Sequence, residues 1–245
     1  ITNSCNPYFR EVFKRMIQKG KVNDPFADSR LGLEEWHHHI TSFGFGASLK
    51  VDLPNEKGGL VPSPTYYDKA YSNRAWKFSN IYSLAIGEGE NLVAPLQMAN
   101  FAATVANRGF YYIPHLVKKI GNGDPLPIYR EKHFTTIDSS NFKIAVDAMQ
   151  NVVQAGTAVR AYIPDIIVCG KTGSVQNDPL PEHSVFIAFA PREKPKIAIS
   201  VYVEFSGMGG RSAASIAGLL IEKYLKGKIT RQYVEDYVKQ GDFLD

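Results

Sequence analysis

Lys171-Thr172-Gly173-Ser174 sets one cation, two hydroxyls and a residue without a Cβ side by side. A cation with hydroxyls beside it suits a carboxylate, and unhindered backbone next to them suits an oxyanion. The four residues follow Ile166-Ile167-Val168-Cys169, a β-branched run that reads as a strand, so the tetrapeptide is expected on a strand edge. Alternation sends Lys171 and Gly173 to one side of such a strand and Thr172 and Ser174 to the other. Without a Cβ at Gly173, a peptide backbone could come close and pair as an added strand. A hydroxyl and an amide also stand together at the start of the chain, in Ser4-Cys5-Asn6. Taken alone, that tripeptide is a helix cap.

Other chemistries compete for these strings. Gly170-Lys171-Thr172 matches the end of a phosphate-binding loop, but that loop needs a glycine where Asp165 stands. It also needs a helix directly afterwards, where Asn177, Pro179 and Pro181 occur instead, so nucleotide binding by this route is excluded. Gly87-Glu88-Gly89 lacks the third glycine of a dinucleotide fingerprint. His37-His38-His39 would point to different faces of a helix, which reads as a helix flank and not as a metal site. Cys5 and Cys169 have neither a disulfide framework nor metal-ligand spacing and read as small buried fillers. Ser140-Asn141-Phe142-Lys143 is a Ser-x-x-Lys string, but it reads as the first turn of a helix capped by Asp138 or Ser139.

The elements that must position these residues follow from periodicity. Asn6 as cap, Pro7 in the first turn and Gly20 at the end frame a first helix, with Phe9, Phe13, Met16 and Ile17 as its apolar stripe. A second helix is expected over 31–42 and a third over 94–107, with Pro95 in its first turn. The stretch 51–80 is rich in Pro, Gly, Tyr and Asn and is expected as a long loop excursion. Phe142, Ala145, Val146, Met149, Val152 and Val153 recur at helical spacing. Residues 166–169, 185–190 and 197–203 read as three sequential antiparallel strands. A loop at 207–210 then leads to a closing helix over 212–225, with Ile216, Leu219, Leu220 and Tyr224 inward. Residues 227–245 are charged and read as a C-terminal surface extension.

The chain has 245 residues, enough for one sizeable core, and 44% hydrophobic with 21% charged residues marks it as folded. A net charge of +4 without a basic stripe argues against nucleic acid as a partner. No apolar run reaches membrane-spanning length. The chain opens without an initiator Met, which reads as a piece of a larger protein.

In order and company, these segments resemble the class B penicillin-binding transpeptidases, the penicillin-binding protein 2 group. Ser4-Cys5-Asn6-Pro7-Tyr8-Phe9 is similar to that family's Ser-x-Asn box and its helix. Residues 51–63 resemble its long loop, and 86–100 its Gly-Gln-Gly segment, with Glu88 where Gln is commoner. Gly170 to Asn177 resembles its Lys-Thr-Gly strand and 183–191 the next one. The resemblance covers nearly the whole chain. It implies an α+β fold, an antiparallel sheet with helices on both faces, truncated at its N-terminus, with residues 1–245 as the C-terminal part of a transpeptidase domain.

The family's third box, Ser-x-x-Lys, should precede Ser4, so Ser140 and Lys143 stand in the wrong order and the nucleophile box is expected upstream of Ile1. The implied activity is a serine D,D-transpeptidase that cross-links peptidoglycan stem peptides and is acylated by β-lactams, with residues 1–245 inactive alone. In it Ser4, Asn6 and Lys171 would be catalytic and Thr172, Gly173 and Ser174 substrate-binding, with no metal and no cofactor. The implied partners are stem peptides, β-lactams and membrane proteins of cell-wall synthesis. The implied site of action is the extracytoplasmic (periplasmic) face of the cytoplasmic membrane, with the anchor outside these residues. A β-lactam-binding sensor domain, a serine β-lactamase and, for these residues by themselves, a dead structural fragment are the alternatives.

Overall fold

Pro7 sits in the first turn of α1 (Asn6–Ile17), where its missing N–H costs nothing, and Phe13 and Ile17, four apart, are buried. The N-cap position is held by Cys5 without a side-chain cap. Asn6 is the first helical residue, which corrects its expected role as cap. Met16 is exposed and leaves the expected apolar stripe, because it lies off the line that Phe13 and Ile17 share. α2 (Pro25–Thr41) begins well before the expected residue 31. Asp24-Pro25 is the start signal: the Asp24 carboxylate accepts from the Ala27 amide at 2.6 Å and Pro25 opens the first turn. Between the two helices, Asp28 accepts from the amides of Gly20 and Lys21, each at 2.8 Å. Those amides, Gly20 first, hold its carboxyl below the usual range.

This computed structural model describes residues 1–244 and falls into two units. One comprises residues 5–97 and 112–137, the other residues 1–4, 98–111 and 138 onward. In the first unit, the stretch 51–80 departs from the expected loop. It carries α3 (Pro64–Ala70) and α4 (Phe78–Ile81), and the Ser63 side chain accepts from the Tyr66 amide at 3.2 Å as a cap. Tyr67 and Trp76, each 1% exposed, join Phe13, Ile17, Leu33 and Trp36 in a core. Their polar tips are satisfied: the Tyr67 hydroxyl donates to Glu90 at 2.6 Å and the Trp76 indole to Asp68 at 3.1 Å. The aromatic residues outweigh the turn-forming composition, since each buries a large apolar area.

α5 (Pro95–Ala106) starts as its proline predicts. Near its start, Gln97 accepts from the Ala94 amide at 3.0 Å and donates to the carbonyls of Gly44, Ala47 and Gly58 at 2.9–3.1 Å. One buried amide thus binds two glycine-bearing loops to the head of the helix. Two-residue strands follow, β1 (Phe110–Tyr111) and β2 (His133–Phe134).

In the other unit, Asp138 caps a short turn at Ser139–Asn141 that runs into α6 (Phe142–Ala155). The sheet is β3 (Cys169–Val175), β4 (His183–Ala190) and β5 (Ile197–Val203), antiparallel and in that order. Its register sets Lys171 opposite Ile187, Thr172 opposite Phe186, Gly173 opposite Val185 and Ser174 opposite Ser184. β3 begins at Cys169, so the expected strand at 166–169 is displaced along the chain. Ile166 instead bridges back to Ile163, and the Lys-Thr-Gly residues lie within the strand.

Val152 and Val153 of α6 and Ala213, Ala217 and Ile221 of α7 (Ala213–Lys226) pack with Phe186 and Ala188 on one side of the sheet. On the alternate residues of β4, Ile187 and Phe189 are also buried, and the Arg108 guanidinium lies 5.9 Å from the Phe189 ring centre. The fold is α+β. α7 buries Leu219, as expected, together with its small residues, whereas Leu220 is 49% and Tyr224 64% exposed, against expectation. A Cβ on Gly218 would lie 2.9 Å from the Ala161 Cα, so at that position the helix approaches too closely for any side chain.

Cys169 is buried, and burial pushes its thiol up to about 11, whereas Cys5 is exposed and is no filler. α8 (Gln232–Gln240) lies in the C-terminal extension, whose last residue, Asp245, is outside the described residues. The extension is anchored where buried Arg231 pairs with buried Glu222 at 3.0 Å and donates to the carbonyls of Arg160 and Tyr162.

Candidate active site

The first residues form a turn in which the Ser4 amide donates to the Ile1 carbonyl at 3.1 Å. Ser4 has φ 48°, the left-handed region that costs a non-glycine residue roughly 1–3 kcal/mol. That backbone aims its hydroxyl at β3. Lys171 Nζ donates to Ser4 Oγ at 2.8 Å and to the Thr172 carbonyl at 2.5 Å. Both acceptors are neutral oxygens. Burial lowers the Lys171 pKa, because a charged ammonium is disfavoured where water is excluded. A serine oxygen that accepts from an ammonium keeps its own proton free to give away.

Along the same strand, Thr172 Oγ1 lies 2.7 Å from Thr157 Oγ1. Ser174 is exposed, and its hydroxyl oxygen accepts from the Gly209 amide at 3.2 Å. The two nearby glycines of β3 differ in what imposes them. A Cβ on Gly170 would lie 2.3 Å from the Phe186 ring, so packing demands glycine there. A Cβ on Gly173 would meet Val185 at 3.5 Å, an ordinary contact, so the fold itself makes no such demand. The loop after β5 closes on this strand: a Cβ on Gly209 would lie 2.3 Å from the Gly173 carbonyl oxygen, and one on Gly210 2.2 Å from that of Thr157.

The structure therefore gathers Ser4, Lys171 and Thr172 within one hydrogen-bonded group, with Gly173 and Ser174 continuing the strand. Asn6 belongs to the other unit and is exposed in the first turn of α1. Ser140 and Lys143 are engaged elsewhere: the Ser140 hydroxyl donates to Asp138 at 2.6 Å, and Lys143 pairs with Asp147 at 3.3 Å. Among the described residues, no group of three or more His, Cys, Asp or Glu could hold a metal ion. His39 of the histidine run instead bonds Thr136 at 2.6 Å. Thr157 and Gly209 were not legible as site residues. The only local trace was a hydroxyl directly after the glycine that ends α6, and a glycine pair in a loop.

Residues 1–222 match the family model of the penicillin binding protein transpeptidase domain. The chain belongs to this family. Its transpeptidase domain is similar to the peptidoglycan D,D-transpeptidase MrdA of Acinetobacter baumannii, 30% identical over 92% of this chain and 34% of that protein. MrdA of Haemophilus influenzae is 28% identical over 97% of this chain and 37% of its own. The chain thus spans about a third of the length of the curated relatives it matches. Among solved structures, Pseudomonas aeruginosa PBP2 in complex with WCK 5153 superposes with a TM-score of 0.75 at 28% identity, over 93% of this chain and 47% of that one. PBP2 from Helicobacter pylori, in complex with MreC, gives 0.71 at 26%, over 93% and 39%. The transpeptidase domain is of the penicillin-binding protein 2 type, as its motifs imply.

Proposed function

We propose that the intact protein is a serine-type peptidoglycan D,D-transpeptidase, with the residues described here forming the proton-transfer and substrate-carboxylate side of its active site. The observation that carries this reading is the 2.8 Å hydrogen bond from Lys171 to Ser4, made on a strand whose next residues offer two hydroxyls and open backbone. The acylated serine and its lysine base are assigned to a Ser-x-x-Lys box preceding Ile1. That serine attacks the penultimate D-Ala carbonyl of a stem peptide. A C–O bond forms, the C–N bond to the terminal D-Ala breaks, and the leaving amine takes its proton from Ser4. The lysine base takes the attacking serine's proton and returns it to Ser4 as the amine leaves, while Lys171, donating to Ser4, polarises that hydroxyl. Asn6 hydrogen-bonds the peptide backbone. The hydroxyls of Thr172 and Ser174 receive the terminal carboxylate, and Gly173 lets the peptide lie against β3. The Ser174 amide is one oxyanion donor. An acceptor amine of a second stem peptide then displaces the ester, forming the cross-link and releasing the serine. A β-lactam enters the same cycle and stops at the acyl stage.

By the same reading the protein works at the extracytoplasmic face of the membrane with cell-wall synthesis partners, and its anchor lies outside these residues. Among the described residues, no helix is long and apolar enough to cross a membrane. The test is fluorescent-penicillin labelling of the full-length protein, peptide mapping of the adduct, and assay of cross-linking with stem peptides. A stable adduct on a serine outside residues 1–245, with cross-linked product, is expected. An adduct on Ser4 or Ser140 overturns the assignment of roles. Rapid release of hydrolysed penicillin would make the protein a β-lactamase, and an adduct with no cross-linking a sensor.

A further inference from the structure

Thr157 is held from several directions for a residue that lies on the surface. α6 ends at Gly156, where the amides of Gly156 and Ala158 both donate to the Val152 carbonyl, at 3.2 and 3.0 Å. That turn fixes the backbone on either side of Thr157. Residues 156 and 157 are also wedged between two neighbours. A Cβ on Gly156 would lie 2.6 Å from the carbonyl oxygen of Thr2, two residues before Ser4. One on Gly210 would lie 2.2 Å from the carbonyl oxygen of Thr157 itself. The result is a hydroxyl placed 2.7 Å from that of Thr172 while both residues remain accessible.

We infer that Thr157 is a positioning residue for the substrate carboxylate, acting through Thr172. The inference rests on the transpeptidase reading above and extends it to a residue that the Lys-Thr-Gly strand does not contain. Between two hydroxyls either oxygen can donate. A carboxylate accepts only, so once it arrives Thr172 must turn its proton outward. Thr172 then needs a donor to fill its own oxygen, and Thr157 is at hydrogen-bond distance to supply it. The chain Thr157 → Thr172 → carboxylate runs in one direction, and each bond polarises the next. Ser174 is treated alike: the Gly209 amide fills its oxygen and leaves its proton to point outward. Both proposed carboxylate hydroxyls are thus backed by a donor from outside the strand, one a side chain and one a backbone amide.

The experiment measures second-order acylation rate constants of the full-length protein with benzylpenicillin and with its methyl ester, which lacks the anionic carboxylate. Thr157→Val keeps the volume and removes the donor, and Thr157→Ala provides the same loss should the valine variant fold poorly. Thr157→Ser restores the hydroxyl. The expected result is a loss of up to about tenfold with benzylpenicillin for Thr157→Val and Thr157→Ala, the upper end for a hydrogen bond between two neutral groups. The rate with the ester should stay unchanged, and Thr157→Ser should return close to the wild-type value. A circular-dichroism melt close to wild type accompanies each variant. Equal losses with acid and ester overturn the inference, because they mark a general structural role. Wild-type rates in both donor-less variants overturn it as well, while leaving the transpeptidase reading intact. Failure of the wild-type protein to be acylated by either compound sinks that reading, and this one with it.

Discussion

Two serine–lysine couples occur in this chain, and they are built in opposite ways. Ser140 and Lys143 are neighbours in sequence, one helical turn apart, yet each side chain is committed to a different carboxylate, Asp138 and Asp147. Ser4 and Lys171 lie at far ends of the sequence, yet share a hydrogen bond of 2.8 Å, and among the described residues no carboxylate accepts from that ammonium. The first lysine is an exposed ion pair of the kind that contributes little, and its serine closes a helix cap. The second lysine is half-buried with a lowered pKa, and its acceptors among the described residues are the neutral oxygens of Ser4 and Thr172. Spacing along the chain makes a string, whereas burial beside neutral acceptors gives the second couple the surroundings that the proposed proton transfer asks for.

The largest break in this contrast should come from Lys171→Ala in the full-length protein. Acylation by penicillin is expected to fall by about 10²–10⁴-fold, the range for losing a group that acts in proton transfer, with the folded circular-dichroism spectrum retained. Wild-type acylation in that variant would reduce Lys171 to the standing of Lys143.

Ser4→Gly separates chemistry from backbone strain. Acylation followed by cross-linking should drop by about a hundredfold. Glycine adopts the left-handed φ of residue 4 freely, so the melting temperature should not decrease. A variant that is both less active and clearly less stable would mean that the hydroxyl serves the fold.

The pH profile sharpens the comparison further. If Lys171 acts as the cation, acylation declines as pH rises through its pKa, and burial moves that alkaline limb below the ordinary lysine range. The stability sign is fixed as well. Between the lowered folded value and the ordinary unfolded one, the unfolded chain binds more protons, so this lysine's penalty lessens as pH rises. Below the folded value the penalty is fully present. Lys171→Met should remove that rise in a series of denaturant titrations, and an identical slope in both proteins would contradict the burial assignment.

The smallest effects belong to the other couple. Ser140→Ala and Lys143→Ala should leave acylation within about twofold, and Asp138→Ala should cost about 1 kcal/mol of stability through its lost cap, read by urea unfolding. A collapse of acylation in Ser140→Ala would reverse the contrast altogether.

Much of this is legible in the sequence, because the decisive strings are local. A lysine, two hydroxyls and a glycine in four residues can be read on a line, as can a β-branched run or Pro95 at a helix start. What escaped has its meaning in distant partners. Gln97 looks like any polar residue in a helix until its amide is seen holding Gly44, Ala47 and Gly58. Thr157 and Gly209 become informative only when the end of α6 and the loop after β5 meet β3. On α7, hydrophobicity favours Leu219, Leu220 and Tyr224 alike, yet only Leu219 is buried, and the buried side also takes alanines and Gly218, where a Cβ would meet the Ala161 Cα at 2.9 Å. The segment 51–80 reads as a loop on its Pro and Gly content, yet Tyr67 and Trp76 carry the greater buried area and fold it.

Gly173 has one more consequence. Its neighbours leave room for a methyl group, so the energetic burden of adding one would fall on whatever binds alongside and hardly at all on folding. If Gly173 receives the substrate as proposed, evolution can adjust which molecules are admitted there without first repairing the scaffold, a freedom that the ring of Phe186 denies to Gly170, three residues earlier.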